Sequence, residues 1–167
     1  GFEWLKLGTA SSADGPLLTQ RSGDLAYEEK ENALQSAIRL GSQTISRTHA
    51  DYPALQFVNT LLGGFFGSRL MRNIREEKGY TYSIGSAVAT LKHTGFLTIA
   101  TEVGVEVTNS TLAEIENEID LLKTTLASVE EVDLVKSYME GSMLGSLEGI
   151  FSHAYKSKSV LLTDMIL

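Results

Sequence analysis

The 167-residue sequence contains no cysteine. Disulfide bonds, cysteine-ligated zinc sites and a cysteine nucleophile are therefore excluded from this chain. A chain without cysteine is compatible with an oxidising or a reducing environment, so the cysteine count indicates no particular cellular compartment.

The sequence also lacks an apolar run near the ~20 residues of a transmembrane helix. Clustered lysine and arginine are missing as well, and the formal net charge is -7. Since nucleic-acid binding depends on a basic surface, we expect neither a nucleic acid nor a membrane as a partner.

Histidine is scarce: the chain has three, at positions 49, 93 and 153. No two of them lie three to five residues apart, so the helical pairing that places two imidazoles on one zinc ion is absent. A lone histidine is more often a surface or core residue than a ligand. The sequence therefore predicts that this chain binds no zinc with its own residues.

Two other catalytic motifs are missing. The serine-hydrolase elbow needs glycine, any residue, serine, any residue and glycine, whereas in residues 141–145 the serine directly follows the first glycine. No glycine-rich loop is followed by lysine and a hydroxyl residue, as phosphate binding requires.

The composition is that of a globular protein, with 43% hydrophobic and 21% charged residues. Residues 8–24 are rich in glycine, serine and aspartate, so we predict a linker or arm over residues 1–23 and one folded domain over residues 24–167. The chain begins without methionine and ends in a mostly apolar stretch, so we expect it to be a piece of a longer protein.

The order of predicted elements favours an α+β fold. Residues 35–45, 80–91 and 95–103 have the alternation of strands, and residues 92–95 are predicted to form the hairpin loop between the last two. A helix follows Asp51 as N-cap and ends at Gly63 and Gly64 by a left-handed turn. A short helix follows from Ser68, with its apolar side buried, and Gly79 ends it.

Helices dominate the rest of the chain. Apolar residues recur at helical spacing over 112–126, with Leu126 on the buried side and Glu118 on the surface. Ser128 and Glu131 have the spacing of a capping box, which opens a helix with an apolar stripe through Val135 and Met143. A last helix is predicted over about 152–166. Strands and helices are thus partly segregated, which predicts an antiparallel sheet with helices packed on one face.

Residues 61–88 contain the side chains that are best suited to catalysis or ligand binding. Three glycines interrupt a helix, a short amphipathic helix follows, and a Gly-Tyr-Thr-Tyr strand start closes the segment. A guanidinium and a phenol close together can donate hydrogen bonds to a carbonyl or an oxyanion. The alternative is structural: Arg75 is then a solvated arginine beside Glu76 and Glu77, and Tyr80, Tyr82, Ile84 and Val88 form one packed strand face.

This stretch resembles the C-terminal-half domain of the pitrilysin and mitochondrial processing peptidase family, the inverzincins. The matching residues, in chain order, are Leu62-Gly63-Gly64, Ser68-Arg69-Leu70, Ile74-Arg75-Glu76 and Gly79-Tyr80-Thr81-Tyr82-Ser83. The resemblance extends over about residues 24–167 and includes the strand at 35–41 and the helix start at 128–131.

The resemblance implies one half of a two-half zinc metallopeptidase. In that family one half holds zinc through His-x-x-Glu-His, a motif that this chain lacks, and the other half supplies an arginine and a tyrosine to the scissile carbonyl region. The matching pair here is Arg75 and Tyr82, and the loop of Gly63, Gly64 and Gly67 corresponds to a substrate-contacting loop.

We therefore expect this chain to clamp a peptide or unfolded polypeptide substrate and to be inactive alone. Zinc would come from an N-terminal zinc-binding half or a partner subunit. Two alternatives remain open: a catalytically silent structural or assembly subunit of the same fold, and an unrelated α+β binding module.

Overall fold

A computed structural model describes residues 26–91 and 94–146 of the chain. The elements in these residues are β1 Gln35–Thr44, α1 Tyr52–Asn59, a π-helical turn Thr60–Gly64, the central π-helix Met71–Glu77, β2 Thr81–Thr90, β3 Gly95–Gly104, a 3-10 turn Val105–Val107, α2 Thr108–Thr124 and α3 Val129–Gly145. The predicted arm over 1–23 and the predicted last helix over 152–166 lie outside the described residues. No helix in the described part combines the length and apolarity that a membrane span requires.

The three strands form an antiparallel sheet in the order β1-β3-β2. Thr101 in the middle strand pairs with Ile38 on one side and Ile84 on the other, so these side chains share one face. All three are buried, whereas Arg39, Ala100 and other residues of the opposite face are exposed. Alternation along the strands thus separates a helix-covered face from an exposed face, which confirms the predicted α+β arrangement.

The core lies between the covered face of the sheet and the helices. It is formed by buried aliphatic side chains from every layer: Ile38, Leu62, Leu70, Met71, Ile74, Ile84, Ile99, Val103 and Ile115. Leu70, Ile74 and Ile115 have no exposed surface at all. The predicted apolar side of the short helix is therefore confirmed, and it anchors the central π-helix on the sheet.

The passage from α1 to the glycine segment corrects two predictions. Asp51 occupies the N-cap position, but its side chain forms no capping hydrogen bond. The π-helical turn ends at Gly64 without a left-handed residue, since Phe65 is extended. A Cβ on Gly63 would lie 2.6 Å from the backbone nitrogen of Ser86, so Gly63 is needed for close packing against β2 rather than for a turn.

Gly79 does adopt the left-handed conformation, with φ of 68°. It follows the central π-helix, whose last turn is closed by hydrogen bonds from the backbone of Lys78 to Asn73 and of Tyr80 to Ile74. The predicted end of the short helix at Gly79 is thus confirmed.

In α2 the predicted helix is confirmed with two corrections. Leu126 lies beyond the end of the helix and is 95% exposed. Glu118 is buried instead of exposed, because its carboxylate accepts a hydrogen bond from the Asn73 amide across the helix interface.

The capping box that opens α3 is confirmed. The Ser128 hydroxyl accepts from the Glu131 backbone, and the Glu131 carboxylate accepts from the Ser128 backbone. The apolar stripe of this helix is only partly covered, since Val135 is buried while Met143 is 66% exposed.

Candidate functional site

A β-bulge at the start of β2 turns Tyr82 away from the core. The pairing runs from Thr81 opposite Val103 directly to Ile84 opposite Thr101, so Tyr82 and Ser83 together face Glu102. One extra residue reverses the alternation of side chains locally. Tyr82 is therefore 89% exposed, while Ile84 is buried. The interpretation of Tyr82 as part of a packed strand face is wrong for this reason.

Two threonine hydroxyls hold the bulge. The Thr101 hydroxyl donates to the backbone carbonyl of Ser83 at 2.9 Å. The Thr81 hydroxyl donates to the carbonyl of Glu102 at 2.7 Å. These bonds satisfy carbonyl groups at the irregular pairing, and they fix the direction in which Tyr82 projects.

Arg75 lies beside Tyr82 on the surface. Its side chain, which the central π-helix carries, is 28% exposed. The guanidinium carbon lies 4.6 Å from the ring centroid of Phe66 and 5.8 Å from that of Tyr82. The structure thus brings together the two residues that the sequence pairs, and it shows that Arg75 is not a freely solvated arginine.

The donors of Arg75 are unused within the described residues. Its guanidinium forms no hydrogen bond there, and its recorded ion pair, with Glu76, is long at 4.0 Å. An arginine has five N–H donors in a planar fork. A half-covered guanidinium with free donors can bind a carbonyl or a carboxylate.

The loop between the π-helical turn and the central π-helix supplies Phe66. Sequence reasoning missed this residue. Its neighbour Phe65 stacks on Tyr138 of α3, with ring centroids 4.7 Å apart. Phe66 is instead 61% exposed and faces Arg75. A Cβ on Gly67 would lie 2.8 Å from the Phe65 ring, so glycine there leaves room for this arrangement.

Glu131 fixes the start of the segment that carries Arg75, which consists of residues 68–77. Its two carboxylate oxygens accept from Arg69 Nε at 2.8 Å and Arg69 Nη2 at 2.9 Å, and Arg72 adds a contact at 3.2 Å. The hydrogen bond from Arg69 is the largest of the effects that lower the pKa of Glu131 to about 2. The same bond raises the pKa of Arg69, which is buried. A bidentate pair of this kind sets orientation as well as contributing energy.

Asn73 fixes the middle of the same segment against α2. Its amide nitrogen donates to Glu118 at 2.8 Å and to Glu114 at 3.1 Å. Glu114 also pairs with Lys78 at 3.1 Å. The hydrogen bond from Asn73, followed by that from Lys78, lowers the pKa of Glu114. Arg75 therefore sits on a segment tied to both α2 and α3.

An open groove of about 550 Å³ adjoins Tyr82 on the exposed face of the sheet. Its walls include Arg39 and Glu102, which form an ion pair at 2.9 Å. The remaining lining comes from the bulge and the ends of β1 and β3: Gln35, Gly79, Tyr80, Thr81, Tyr82, Ser83, Ala100, Thr101, Val103 and Gly104.

The three predicted loop glycines occupy different environments. Gly63 is buried against β2, Gly64 is half-buried and Gly67 is exposed. Only the latter two present surface to solvent.

The described residues contain no group of three or more histidine, cysteine or acidic side chains that could hold a metal ion. His49 lies near Asp51, at 3.7 Å, on an exposed loop. His93 and His153 lie outside the described residues. The described part of the chain does not fit a zinc site.

This chain belongs to the peptidase M16 inactive domain family, whose sequence model matches residues 7–139. The resemblance drawn from the motifs is thereby confirmed. Solved structures agree, since the crystal structure of a peptidase M16 inactive domain from Pseudomonas fluorescens superposes with a TM-score of 0.74 at 25% identity, covering 81% of this chain and 32% of that one.

The curated relatives include one that is named a zinc protease and one that is named a probable inactive metalloprotease. The chain is 30% identical to "Uncharacterized zinc protease YmxG" of Bacillus subtilis, over 71% of this chain and 29% of that protein. It is 27% identical to "Probable inactive metalloprotease YmfF" of the same bacterium, over 72% of this chain and 28% of that protein. The chain thus spans less than a third of the length of either relative.

Proposed function

We propose that this chain is the substrate-clamping half of a zinc metallopeptidase, in which Arg75 and Tyr82 bind the carbonyl group of the peptide bond that is cleaved. The observation that carries the proposal is the Arg75 guanidinium, which is held against Tyr82 at 5.8 Å while its donors remain unused within the described residues.

The chemistry of the pair suits a peptide carbonyl. A carbonyl oxygen gains negative charge when a nucleophile attacks its carbon, and preorganised donors stabilise that charge. Arg75 offers N–H donors and Tyr82 offers a phenolic hydroxyl, and both groups lie at an exposed surface where a peptide can reach them.

The other arginines around the site support the choice of Arg75. Arg69 and Arg72 both donate to Glu131, and Arg39 donates to Glu102. Their positive charge is balanced by a carboxylate at hydrogen-bond distance. Arg75 lacks such a partner in the described residues, so its charge is available to a ligand.

The groove beside Tyr82 gives the peptide a path across the exposed face of the sheet. Its size, about 550 Å³, matches a few residues of an extended chain rather than a folded protein. In this proposal the peptide also contacts Gly64 and Gly67, which present surface to solvent. The contribution of Gly63 is to seat the loop against β2.

The hydrolytic chemistry belongs, in this proposal, to a zinc-binding half that carries His-x-x-Glu-His. That half is an N-terminal region or a partner subunit. The sequence lacks that motif, and the described residues contain no cluster of side chains that could hold a metal ion. In this proposal the chain therefore supplies binding and orientation, and its counterpart supplies the hydrolytic chemistry.

A second candidate function is a catalytically silent structural subunit of the same fold. The likeness to a protein named a probable inactive metalloprotease favours it. In that case Arg75 and Tyr82 would still lie together, but no peptide would bind there.

A reconstitution experiment separates the two. The chain is mixed with the zinc-binding half, and hydrolysis of a fluorogenic peptide mixture is followed with and without a metal chelator. The proposal predicts chelator-sensitive cleavage that requires both components. A stable complex that cleaves none of the peptides would support the silent subunit instead.

A further inference from the structure

We propose that Phe66 is the residue that positions Arg75. The face of the Phe66 ring holds the Arg75 guanidinium and so leaves its N–H donors free for substrate. This inference rests on the role proposed for Arg75. Phe66 reaches the reaction only through that arginine, so it is a positioning residue and not a catalytic one.

The contact geometry is that of a cation–π pair. The guanidinium carbon of Arg75 lies over the Phe66 ring at 4.6 Å from its centroid, well inside the ~6 Å within which the ring quadrupole attracts a cation. Tyr82 is farther away, at 5.8 Å, and is itself 89% exposed. Phe66 is therefore the closer aromatic partner, and it contributes to the low exposure of an arginine at the surface.

Two arginines of the same segment are held in opposite ways. Arg69 is fixed by the Glu131 carboxylate, which takes up two of its donors and balances its charge. Arg75 is fixed by a ring face, which attracts the cation without accepting its in-plane N–H groups. Only the second arrangement leaves an oriented cation ready to bind a carbonyl.

The loop conformation places Phe66 for this task. Phe65 stacks on Tyr138 of α3 and so anchors the loop from one side. The Ser68 backbone donates to the Phe65 carbonyl at 3.2 Å and closes a turn around Phe66. The two consecutive side chains thus have different roles, since Phe65 anchors the loop and Phe66 covers Arg75.

The arginine side-chain NMR signals of the chain test the contact without any activity. The Nε–Hε resonance of Arg75, assigned by its loss in Arg75→Lys, should be displaced upfield by the ring current. Phe66→Leu should move it toward the positions of exposed arginines, Phe66→Tyr should retain the displacement, and Phe96→Leu should not alter it, because Phe96 is an exposed phenylalanine on β3. A resonance that Phe66→Leu leaves unchanged would overturn the contact.

Kinetics of the reconstituted enzyme test the consequence. Phe66→Leu should lower kcat/KM about 2- to 5-fold, the range of an exposed cation–π contact, and Phe66→Tyr should restore it. In an Arg75→Ala background Phe66→Leu should have almost no further effect. If Arg75→Ala lowers hydrolysis but Phe66→Leu has the same effect in both backgrounds, the positioning role is wrong. If Arg75→Ala has no effect at all, the proposed function fails and the positioning role fails with it.

Discussion

Arg69 and Glu131 form a two-point ion pair, with distances of 2.8 and 2.9 Å, that joins the segment carrying Arg75 to the first turn of α3. The same carboxylate accepts the backbone N–H of Ser128 at 3.0 Å. One side chain thus caps a helix and orients the candidate site.

Glu131→Gln should therefore destabilise the fold by about 1.5–3 kcal/mol, because the amide keeps one acceptor oxygen but loses the other hydrogen bond from Arg69, whose buried charge is then unbalanced. Urea unfolding measures the change. Asp133→Asn is the control, since Asp133 lies on the same helix turn but is exposed. Equal losses in the two variants would show that the ion pair contributes nothing particular.

The stability of the chain should fall in acid through the same carboxylate. The pKa of Glu131 is about 2 in the folded chain, below its ordinary value of 4.5, chiefly because Arg69 donates to it. Protons therefore bind the unfolded chain more readily. The contribution of Glu131 is complete above about pH 4.5 and is lost as the pH falls toward 2.

Unfolding free energies measured across this range should decrease less steeply in Glu131→Gln than in the unaltered chain. Glu114, whose pKa Asn73 and Lys78 also lower, adds a residual slope of the same sign in both proteins. Parallel curves for the two proteins would contradict the assignment to Glu131.

Gly63→Ala tests the close approach of the π-helical turn to β2. The new methyl group would lie 2.6 Å from the Ser86 backbone nitrogen, so the strand or the turn must shift. Overpacking of this kind costs about 1–3 kcal/mol. Gly41→Ala is the matched control because no atom lies within 4 Å of its added methyl group, and it should cost nothing. Thermal unfolding of both variants decides the matter.

Tyr82→Phe should separate function from stability. The side chain is 89% exposed, so removal of its hydroxyl should change the free energy of unfolding by less than about 0.5 kcal/mol. Hydrolysis by the reconstituted enzyme should fall by about 100-fold or more, the usual cost of one lost oxyanion donor. Full activity in this variant would remove Tyr82 from the proposed site.

Much of the fold could be predicted from local patterns. Alternation around Ile38 marks β1, the spacing of Ser128 and Glu131 marks the start of α3, and Gly79 marks the end of the central helix. Each of these features depends on residues that are close together in the chain, so local sequence patterns are sufficient to predict it.

The parts that sequence reasoning missed depend on contacts between distant residues. The bulge that exposes Tyr82 results from the pairing of β2 with β3, and strand periodicity alone would bury that ring. Glu118 has the surface spacing of α2 but is buried through Asn73. Phe66 follows another phenylalanine in an apolar stretch, and only its position over Arg75 distinguishes it from a core residue.

The most direct test of the account compares Arg75→Ala with Arg72→Ala in the reconstituted peptidase. Both variants remove one arginine from the same helix, but Arg72 is paired with Glu131, at 3.2 Å, whereas Arg75 is not hydrogen-bonded within the described residues. The account predicts that Arg75→Ala lowers kcat/KM by about 100- to 1,000-fold with the complex intact, while Arg72→Ala stays within a few-fold of the unaltered chain. Equal activity of the two variants would contradict it.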